Sequence, residues 1–184
     1  NDRLAIAGGT GSFGASSFQQ VSDTVIGGAG SDTLVLSDGG YFNQGNGITL
    51  GLTVTTAQYY SNNFGEGWLT ISGIENVVGS NGNDKITGSV GANYMYGGQG
   101  NDTLIAGAGI DTLSYTNEGS NIEFIWSGVT VSLAVTTAQN TGMAGGIDTV
   151  TGFENLIGSN YDDSLTGSSA SNVITGGAGM DTLT

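Results

Sequence analysis

The chain has 184 residues, of which 35 are glycine and none is cysteine, histidine or proline. Its formal net charge is −14, because 16 acidic residues are balanced only by Arg3 and Lys85. This balance excludes the cationic surfaces that bind nucleic acids or anionic membranes, and it favours bound cations, since clustered carboxylates repel one another. The missing cysteine and histidine exclude disulfides, thiolate nucleophiles, zinc sites and imidazole bases. No segment reaches the ~18 consecutive apolar residues that membrane insertion requires.

A nine-residue pattern, G-G-x-G-x-D-x-U-x with U a large apolar residue, organises most of the chain. In chain order the complete copies are residues 27–35, 97–105 and 176–184. Variant copies keep the same frame: 18–26, 70–78, 79–87, 88–96, 106–114, 149–157, 158–166 and 167–175. A fixed internal period of this kind is typical of a solenoid, in which each copy stacks on its neighbours.

The nonads form three blocks that are separated by two less regular segments. Each irregular segment holds apolar residues at every second position before the same tag, TTAQ, at 55–58 and 136–139. This alternation predicts a half-buried strand. GIENVVGSNGND (73–84) recurs as GFENLIGSNYDD (152–163), so the outer period is 79 residues. We predict one continuous all-β solenoid in five segments: nonad block 1–35, irregular β insert 36–69, nonad block 70–114, irregular β insert 115–148 and nonad block 149–184.

Each nonad divides into a turn and a short strand. Glycine at positions one, two and four permits a positive φ and close approach of neighbouring backbones. The turn directs carbonyl oxygens inward, Asp at position six adds a carboxylate, and the apolar residue at position eight enters a narrow core. Calcium takes about 6–8 oxygen ligands from carboxylates and carbonyls. One nonad cannot supply that many, but two stacked turns can.

These nonads resemble the RTX, or haemolysin-type, calcium-binding repeat. The resemblance covers about half of the chain and implies a right-handed parallel β-roll with two nonads per turn. Equal positions would then stack every 18 residues, with several calcium ions held between loops one turn apart. In the family, the lower loop supplies the carbonyls of positions two and four, the upper loop those of positions one and three, and both supply the side chain of position six.

Carried onto this chain, the family's scheme gives three candidate sites. The first pairs Asp84 with Asp102 and adds the carbonyls of Ser80, Gly82, Gly97 and Gln99. Its copy pairs Asp163 with Asp181 and adds the carbonyls of Ser159, Tyr161, Gly176 and Ala178. A weaker site on the opposite edge pairs Asn93 with Asp111, because an amide supplies oxygen without charge, and adds the carbonyls of Ser89, Gly91, Ala106 and Ala108.

Three further acidic residues are candidate ligands. Extrapolation of the register places Glu75 with Asn93, and Glu154 with Asn172. Asp32 has no clear partner 18 residues away, so it binds with irregular neighbours or stays empty. The alternative for every position-six Asp is a turn cap that accepts hydrogen bonds from its own backbone. The alternative for the two glutamates is to bond backbone N–H groups where the regular stack begins.

Other functional patterns are weak. Aromatic residues cluster in the irregular segments and leave open a sugar-binding platform beside ordinary packing: Tyr59, Tyr60, Phe64, Trp68 and Trp126. Glu118 and Glu123 form the one pair that resembles an acid/base couple, but no motif supports them, and solvated charges are the simpler interpretation. Outward Thr at position seven suits an ordinary strand better than an ice-binding face. The sequence therefore predicts a protein segment that is not an enzyme.

The expected function follows from the thin interior and from the resemblance. One core residue per nonad buries little apolar surface, so metal binding is expected to decide whether the chain folds. The resemblance implies export of an unfolded chain by bacterial type I secretion and folding in extracellular calcium. We expect a structural segment of a longer secreted or cell-surface protein, such as a surface layer, adhesin or filament, in contact with copies of itself, other surface proteins or carbohydrate. The alternative is an accessory module of an extracellular protease, lipase or alginate epimerase.

Overall fold

The protein is all-β throughout the part described by the computed structural model: residues 3–5, 12–14, 22–36, 47–62, 65–116, 127–142 and 145–184. Among these residues there is no helix with the length and hydrophobicity needed to span a bilayer. The strands, in chain order, are β1 Arg3–Ala5, β2 Ser12–Gly14, β3 Ser22–Ile26, β4 Thr33–Val35, β5 Thr49–Gly51, β6 Gln58–Asn62, β7 Gly65–Ser72, β8 Asn76–Val78, β9 Lys85–Thr87, β10 Tyr94–Tyr96, β11 Thr103–Ile105, β12 Thr112–Ser114, β13 Thr130–Ser132, β14 Gln139–Gly142, β15 Gly146–Thr151, β16 Asn155–Ile157, β17 Ser164–Thr166, β18 Val173–Thr175 and β19 Thr182–Leu183.

One face of the roll is a single parallel sheet in the order β18-β16-β12-β10-β8-β4-β2. Its central strands follow the expected register, since Tyr94 lies opposite both Asn76 and Thr112. Where an insert intervenes, the same sheet continues across a longer step, with Thr33 opposite Asn76 and Thr112 opposite Asn155. The predicted parallel roll is therefore confirmed, and this face runs past both inserts without a break.

The opposite face consists of three sheets, in the orders β1-β3-β7-β6, β5-β9-β11-β15-β14 and β13-β17-β19. Each insert contributes an antiparallel hairpin, β6–β7 or β14–β15, whose second strand pairs in parallel with a nonad strand. Each insert thus forms a hairpin that extends a sheet of this face. The first face has no such hairpin among the described residues.

Two glutamines join the hairpins to the strands that precede them. The Gln58 amide accepts a hydrogen bond from Gly51 N–H (2.6 Å) and donates to the carbonyls of Gly51 and Val54. Gln139 makes the same three bonds with Ser132 and Val135. The side-chain amide pairs with the strand edge as a neighbouring backbone would, which explains the repeated TTAQ tag.

The core is narrow and is built from position eight of each nonad. Its fully buried members include Leu34, Val77, Ile86, Met95, Leu104, Leu113, Leu156 and Leu165. The inserts add apolar residues from the alternating strands, such as Leu50 and Val131, to the same cluster. This interior leaves the turns, which hold the acidic residues, at the two edges of the roll.

Candidate metal sites

The nonad turns fall into two structural classes. Gly-type loops (27–32, 97–102, 106–111 and 176–181) have positive φ angles at positions two and four, for example 101° at Gly98 and 117° at Gly100. Ser-type loops (79–84, 88–93, 158–163 and 167–172) carry Ser at position two and have no positive-φ glycine. The two classes stack on each other in all three predicted sites, with the Ser-type loop below and the Gly-type loop above.

In a Ser-type loop, the position-six side chain is held by its own turn. Asp84 Oδ2 accepts from Ser80 N–H (2.6 Å), and Asp84 Oδ1 accepts from the Ser80 hydroxyl (2.8 Å). Asp163 and Ser159 repeat these bonds at 2.6 and 2.7 Å. These two aspartates therefore make the turn-capping contacts that form the alternative to a metal role.

In a Gly-type loop, the position-six carboxylate reaches the preceding turn instead. Asp102 Oδ1 accepts from the main-chain N–H of Asp84 (2.8 Å), and Asp181 Oδ1 accepts from that of Asp163 (3.0 Å). Asp102 is 2 % exposed, yet its Oδ2 atom has no hydrogen-bond partner, and the same is true of Oδ2 in the buried Asp111. A buried carboxylate oxygen without a donor is costly unless a cation or a proton satisfies it.

Carbonyl oxygens lie between the stacked loops of the first predicted site. A Cβ atom on Gly98 would collide with the Ser80 carbonyl, one on Gly100 would press against that of Gly82, and one on Gly79 would collide with that of Gly97. Three of the four predicted carbonyls thus lie at the loop–loop contact, where only glycine fits. No contact described here involves the fourth, that of Gln99.

The same approach occurs at the other two predicted sites. The carbonyls at the contact are those of Ser159, Tyr161 and Gly176 in one and of Ser89, Gly91 and Ala106 in the other. Ala178 and Ala108 lie in these turns at the place of Gln99. The loops therefore stack as the family resemblance implies, one turn apart.

Asn93 makes contacts that differ from those of an aspartate. Its Oδ1 atom accepts from Ser89 N–H (2.7 Å), while its Nδ2 atom donates to the Glu75 carbonyl (2.7 Å). Asn172 repeats this arrangement with Ser168 and Glu154. An N–H group, which cannot ligate a cation, thus points towards the turn below, so the geometry gives little support to ions between Glu75 and Asn93 or between Glu154 and Asn172.

The two glutamates contact Gly-type loops that precede them by 43 residues. Glu75 Oε2 accepts from Asp32 N–H (2.9 Å), and Glu154 Oε2 accepts from Asp111 N–H (2.8 Å). Asp32 therefore stacks under Glu75, across an insert, although no residue 18 positions away suits it. The glutamates bond backbone N–H groups, which is the alternative that the sequence left open for them.

The structure adds one acidic residue that the nonad frame did not single out. Asp148, at 2 % exposure, accepts from Asp102 N–H (2.9 Å) through Oδ1. The signal was present in the sequence, because Gly-Ile-Asp-Thr occurs at 109–112 and again at 146–149. Asp84, Asp102 and Asp148 thus form one column along the roll.

Burial and mutual repulsion make this column unfavourable when it is ionised. Desolvation, followed by repulsion from Asp84 and Asp148, raises the pKa of Asp102 to about 9. Desolvation raises the pKa values of Asp84 and Asp148 to about 6, although hydrogen bonds oppose the shift. Lys85 is exposed and does not enter the column. At neutral pH, the negative charge of these three carboxyl groups must therefore be reduced by protonation or balanced by a bound cation.

Comparison with known proteins decides the family. The RTX calcium-binding nonapeptide repeat matches residues 22–40, 72–113 and 148–183 in four copies, which is more than half of the chain. The chain belongs to this RTX repeat family. No curated protein matches it. RTX membership assigns calcium binding to the loops, and the unpartnered Asp102 and Asp111 oxygens, with the carbonyls against Gly98 and Gly100, fit that ion.

The described residues also limit what each RTX site can contain. No group of three or more acidic side chains converges within them. Among the residues that the structure describes, each predicted site offers two position-six side chains, and carbonyls are the other protein oxygens at the loop contacts. Among the other predicted features, Phe64, Trp126, Glu118 and Glu123 lie outside the described residues.

Proposed function

We propose that this chain is a calcium-dependent structural segment of a secreted or cell-surface bacterial protein. The observation that carries the proposal is the buried Oδ2 atom of Asp102, which has no hydrogen-bond partner and lies in a column with two other carboxylates. Such a column stabilises the fold only when positive charge is supplied to it. Calcium, when bound, supplies that charge and draws oxygen ligands from successive turns.

The chain's own residues prepare the sites to different degrees. Ser80 and Ser159 hold the lower aspartates in place through two hydrogen bonds each. The upper loops contain positive-φ glycines, and in these loops the Oδ2 atoms of Asp102 and Asp111 have no hydrogen-bond partner and can bind a metal ion. Because each upper-loop carboxylate also accepts from the turn 18 residues earlier, ion binding and the stacking of turns are one event, and binding free energy becomes folding free energy.

The extracellular location rests on this coupling. RTX repeats are typical of secreted proteins, and a chain that folds only with calcium can be exported unfolded and fold outside the cell. We propose a surface layer, adhesin or filament as the context, with copies of this chain or other surface proteins as partners. We also propose that these 184 residues have no catalytic activity, whether they serve such a structure or accompany the catalytic domain of an extracellular enzyme.

A calcium titration of the calcium-free chain tests the proposal. Far-ultraviolet circular dichroism should show little β structure in excess chelator at neutral pH and a cooperative gain as calcium rises towards millimolar concentration. Magnesium at equal concentration should act far more weakly, because it demands near-ideal octahedral geometry and retains its water. Full β signal in excess chelator would overturn the proposal.

The absence of catalysis needs its own assay. The calcium-loaded chain should not hydrolyse casein or a lipase ester, and it should not epimerise alginate. Turnover that persists after repurification and is lost on substitution of a residue in this chain would make it an enzyme. The sequences that flank this chain in its gene separate the two contexts, since further 79-residue copies favour an array and a catalytic motif favours an enzyme.

Carbohydrate binding is a second candidate because one aromatic pair is exposed. Tyr59 and Trp68 are 46 % and 49 % exposed, with ring centroids 5.6 Å apart and ring planes at 69°. This edge-to-face arrangement is not a flat double platform. Glycan-array binding that requires calcium and is lost in Trp68→Ala would support the idea, and an unchanged array signal in Trp68→Ala would reject it.

A further inference from the structure

We propose a further cation site between the Gly-type loop 97–102 and residues 145–148, where hairpin strand β15 begins, with Asp102 and Asp148 as its carboxylates. It would take a hard divalent cation such as calcium. The inference rests on the proposed function, because it extends the calcium-binding stack from the nonads into the second insert. The nonad pattern does not predict it, since Asp148 lies 46 residues from Asp102 and belongs to a β-hairpin.

The beginning of hairpin strand β15 reproduces the upper half of a nonad site. Gly146 has a φ of 82°, and a Cβ atom on it would collide with the Gly100 carbonyl. Gly100 stands in the same relation to the Gly82 carbonyl one turn below. The strands that follow are also in register, with Thr103 opposite Thr149 and Leu104 opposite Val150. Loop 97–102 therefore has an equivalent neighbour on each side.

The Asp148 carboxylate is oriented by donors on both of its oxygens. Oδ1 accepts from Asp102 N–H (2.9 Å), while Oδ2 accepts from the hydroxyls of Thr141 (2.9 Å) and Tyr115 (3.1 Å). All three partners are buried. A carboxylate has about four lone-pair positions, so these bonds leave capacity for a metal. Ligating carboxylates in proteins are commonly held by hydrogen bonds of this kind.

The unpartnered oxygen of Asp102 belongs to a residue that takes part in two junctions, with Asp84 below it and with Asp148 above it. This atom is buried, has no hydrogen-bond donor and belongs to the residue whose N–H contacts Asp148. The Gly100 carbonyl, which faces Gly146 at this junction, is a further oxygen. Two carboxylates and a carbonyl, completed by water, are a ligand set that suits calcium.

The first copy of the 79-residue repeat lacks these polar groups. Leu69 stands in place of Asp148, Leu36 stands in place of Tyr115, and the two leucines are 3 % and 2 % exposed. The chain therefore contains both an apolar and a polar version of the same junction. Only the polar version has a carboxylate to offer, so the cation site is specific to the second copy.

The leucine pair also provides the matched control. The double variant Tyr115→Leu/Asp148→Leu copies the first junction into the second and should fold, because both leucines are already buried in the core at the first junction. Native mass spectrometry of calcium-loaded protein should then count one ion fewer than in the wild type. The melting temperature should also rise less steeply with the logarithm of calcium concentration, as linkage requires. An unchanged ion count would overturn the inference.

Two further measurements keep the test decisive. If the double variant does not fold, Asp148→Asn retains the size of the side chain and one oxygen, and it should lower the affinity for one ion at least tenfold; equal affinities would reject the site. If the wild type binds several ions and the variants bind the same number, this site alone is refuted. A wild type that binds none refutes the proposed function as well.

Discussion

Asp102 Oδ1 accepts a 2.8 Å hydrogen bond from the main-chain N–H of Asp84, 18 residues earlier. The same relation joins Asp111 to Asn93 and Asp181 to Asp163. It recurs across the inserts, from Asp148 to Asp102 and from Glu75 to Asp32. The acidic residue of each such turn is therefore fixed by the turn below, and the columns of charge along the roll result directly from strand stacking.

Asp102→Asn should weaken calcium binding more than a substitution of any exposed acid. It removes one charge and one unpartnered oxygen from a buried site, and ligand charge tunes calcium affinity over decades, so we expect a loss of roughly tenfold or more. Isothermal titration calorimetry with calcium measures this loss of affinity. The control is Asp162→Asn, because Asp162 is exposed and the first copy carries Asn83 at its place. Equal affinities of the two variants would contradict the assignment.

The nine-residue period predicted the core positions and the stacking of the turns. Position eight forms the core, as at Leu34 and Ile86, and turns 18 residues apart stack, as at Asp84 and Asp102. The period could not predict the pairing of Asp32 with Glu75 or of Asp102 with Asp148. Those contacts depend on how each insert folds into a hairpin, which is a non-local property of the chain.

Whether a position-six side chain can bind a metal ion depends on its hydrogen-bonding chemistry, which residue spacing does not determine. Asn93 and Asp84 occupy the same loop position, but the amide donates to the turn below, whereas the carboxylate accepts from other N–H and hydroxyl groups. Donor and acceptor chemistry, rather than register, separates them. The predicted ligands themselves stay predictions until ions are located.

Acid should partly replace calcium. The folded chain without metal holds Asp102 with a pKa of about 9, through burial and the neighbouring Asp84 and Asp148, whereas an unfolded aspartate titrates near ~4. Because the folded pKa is the higher one, this contribution to stability is fully present below pH ~4 and is lost as the pH rises towards 9. Calcium-free circular dichroism between pH 4.5 and 9 should therefore show more β structure at the acidic end.

A variant separates this effect from general charge repulsion. Asp102→Asn removes the carboxyl group whose pKa is about 9, so its β signal in calcium-free buffer should depend less on pH than that of the wild type. With saturating calcium the trend should reverse, because ligand carboxylates must lose their protons to bind metal. Identical pH profiles for wild type and variant would show that Asp102 does not control the transition.

Gly98→Ala should prevent proper stacking of the first predicted site. Gly98 has a φ of 101°, and an added Cβ atom would collide with the Ser80 carbonyl. We expect a loss of more than ~1 kcal/mol in the free energy of unfolding, measured by urea denaturation in calcium. Gly91→Ala is the control, because its nearest contact is Ser89 Oγ at 3.8 Å and the second copy has Ala170 there. Equal losses would show that the loops can move apart.

Gln58→Ala and Gln139→Ala should each loosen one hairpin without changing the calcium sites. Each glutamine makes two hydrogen bonds to the last residue of the strand before it and a third to a carbonyl three residues later. At about 1 kcal/mol for each bond, the loss in unfolding free energy should be about 2–3 kcal/mol. Gln99→Ala is the control, since alanine already stands at this turn position in Ala29, Ala108 and Ala178. A calcium count that falls in Gln139→Ala would show instead that hairpin and metal binding are coupled, as the column through Asp148 allows.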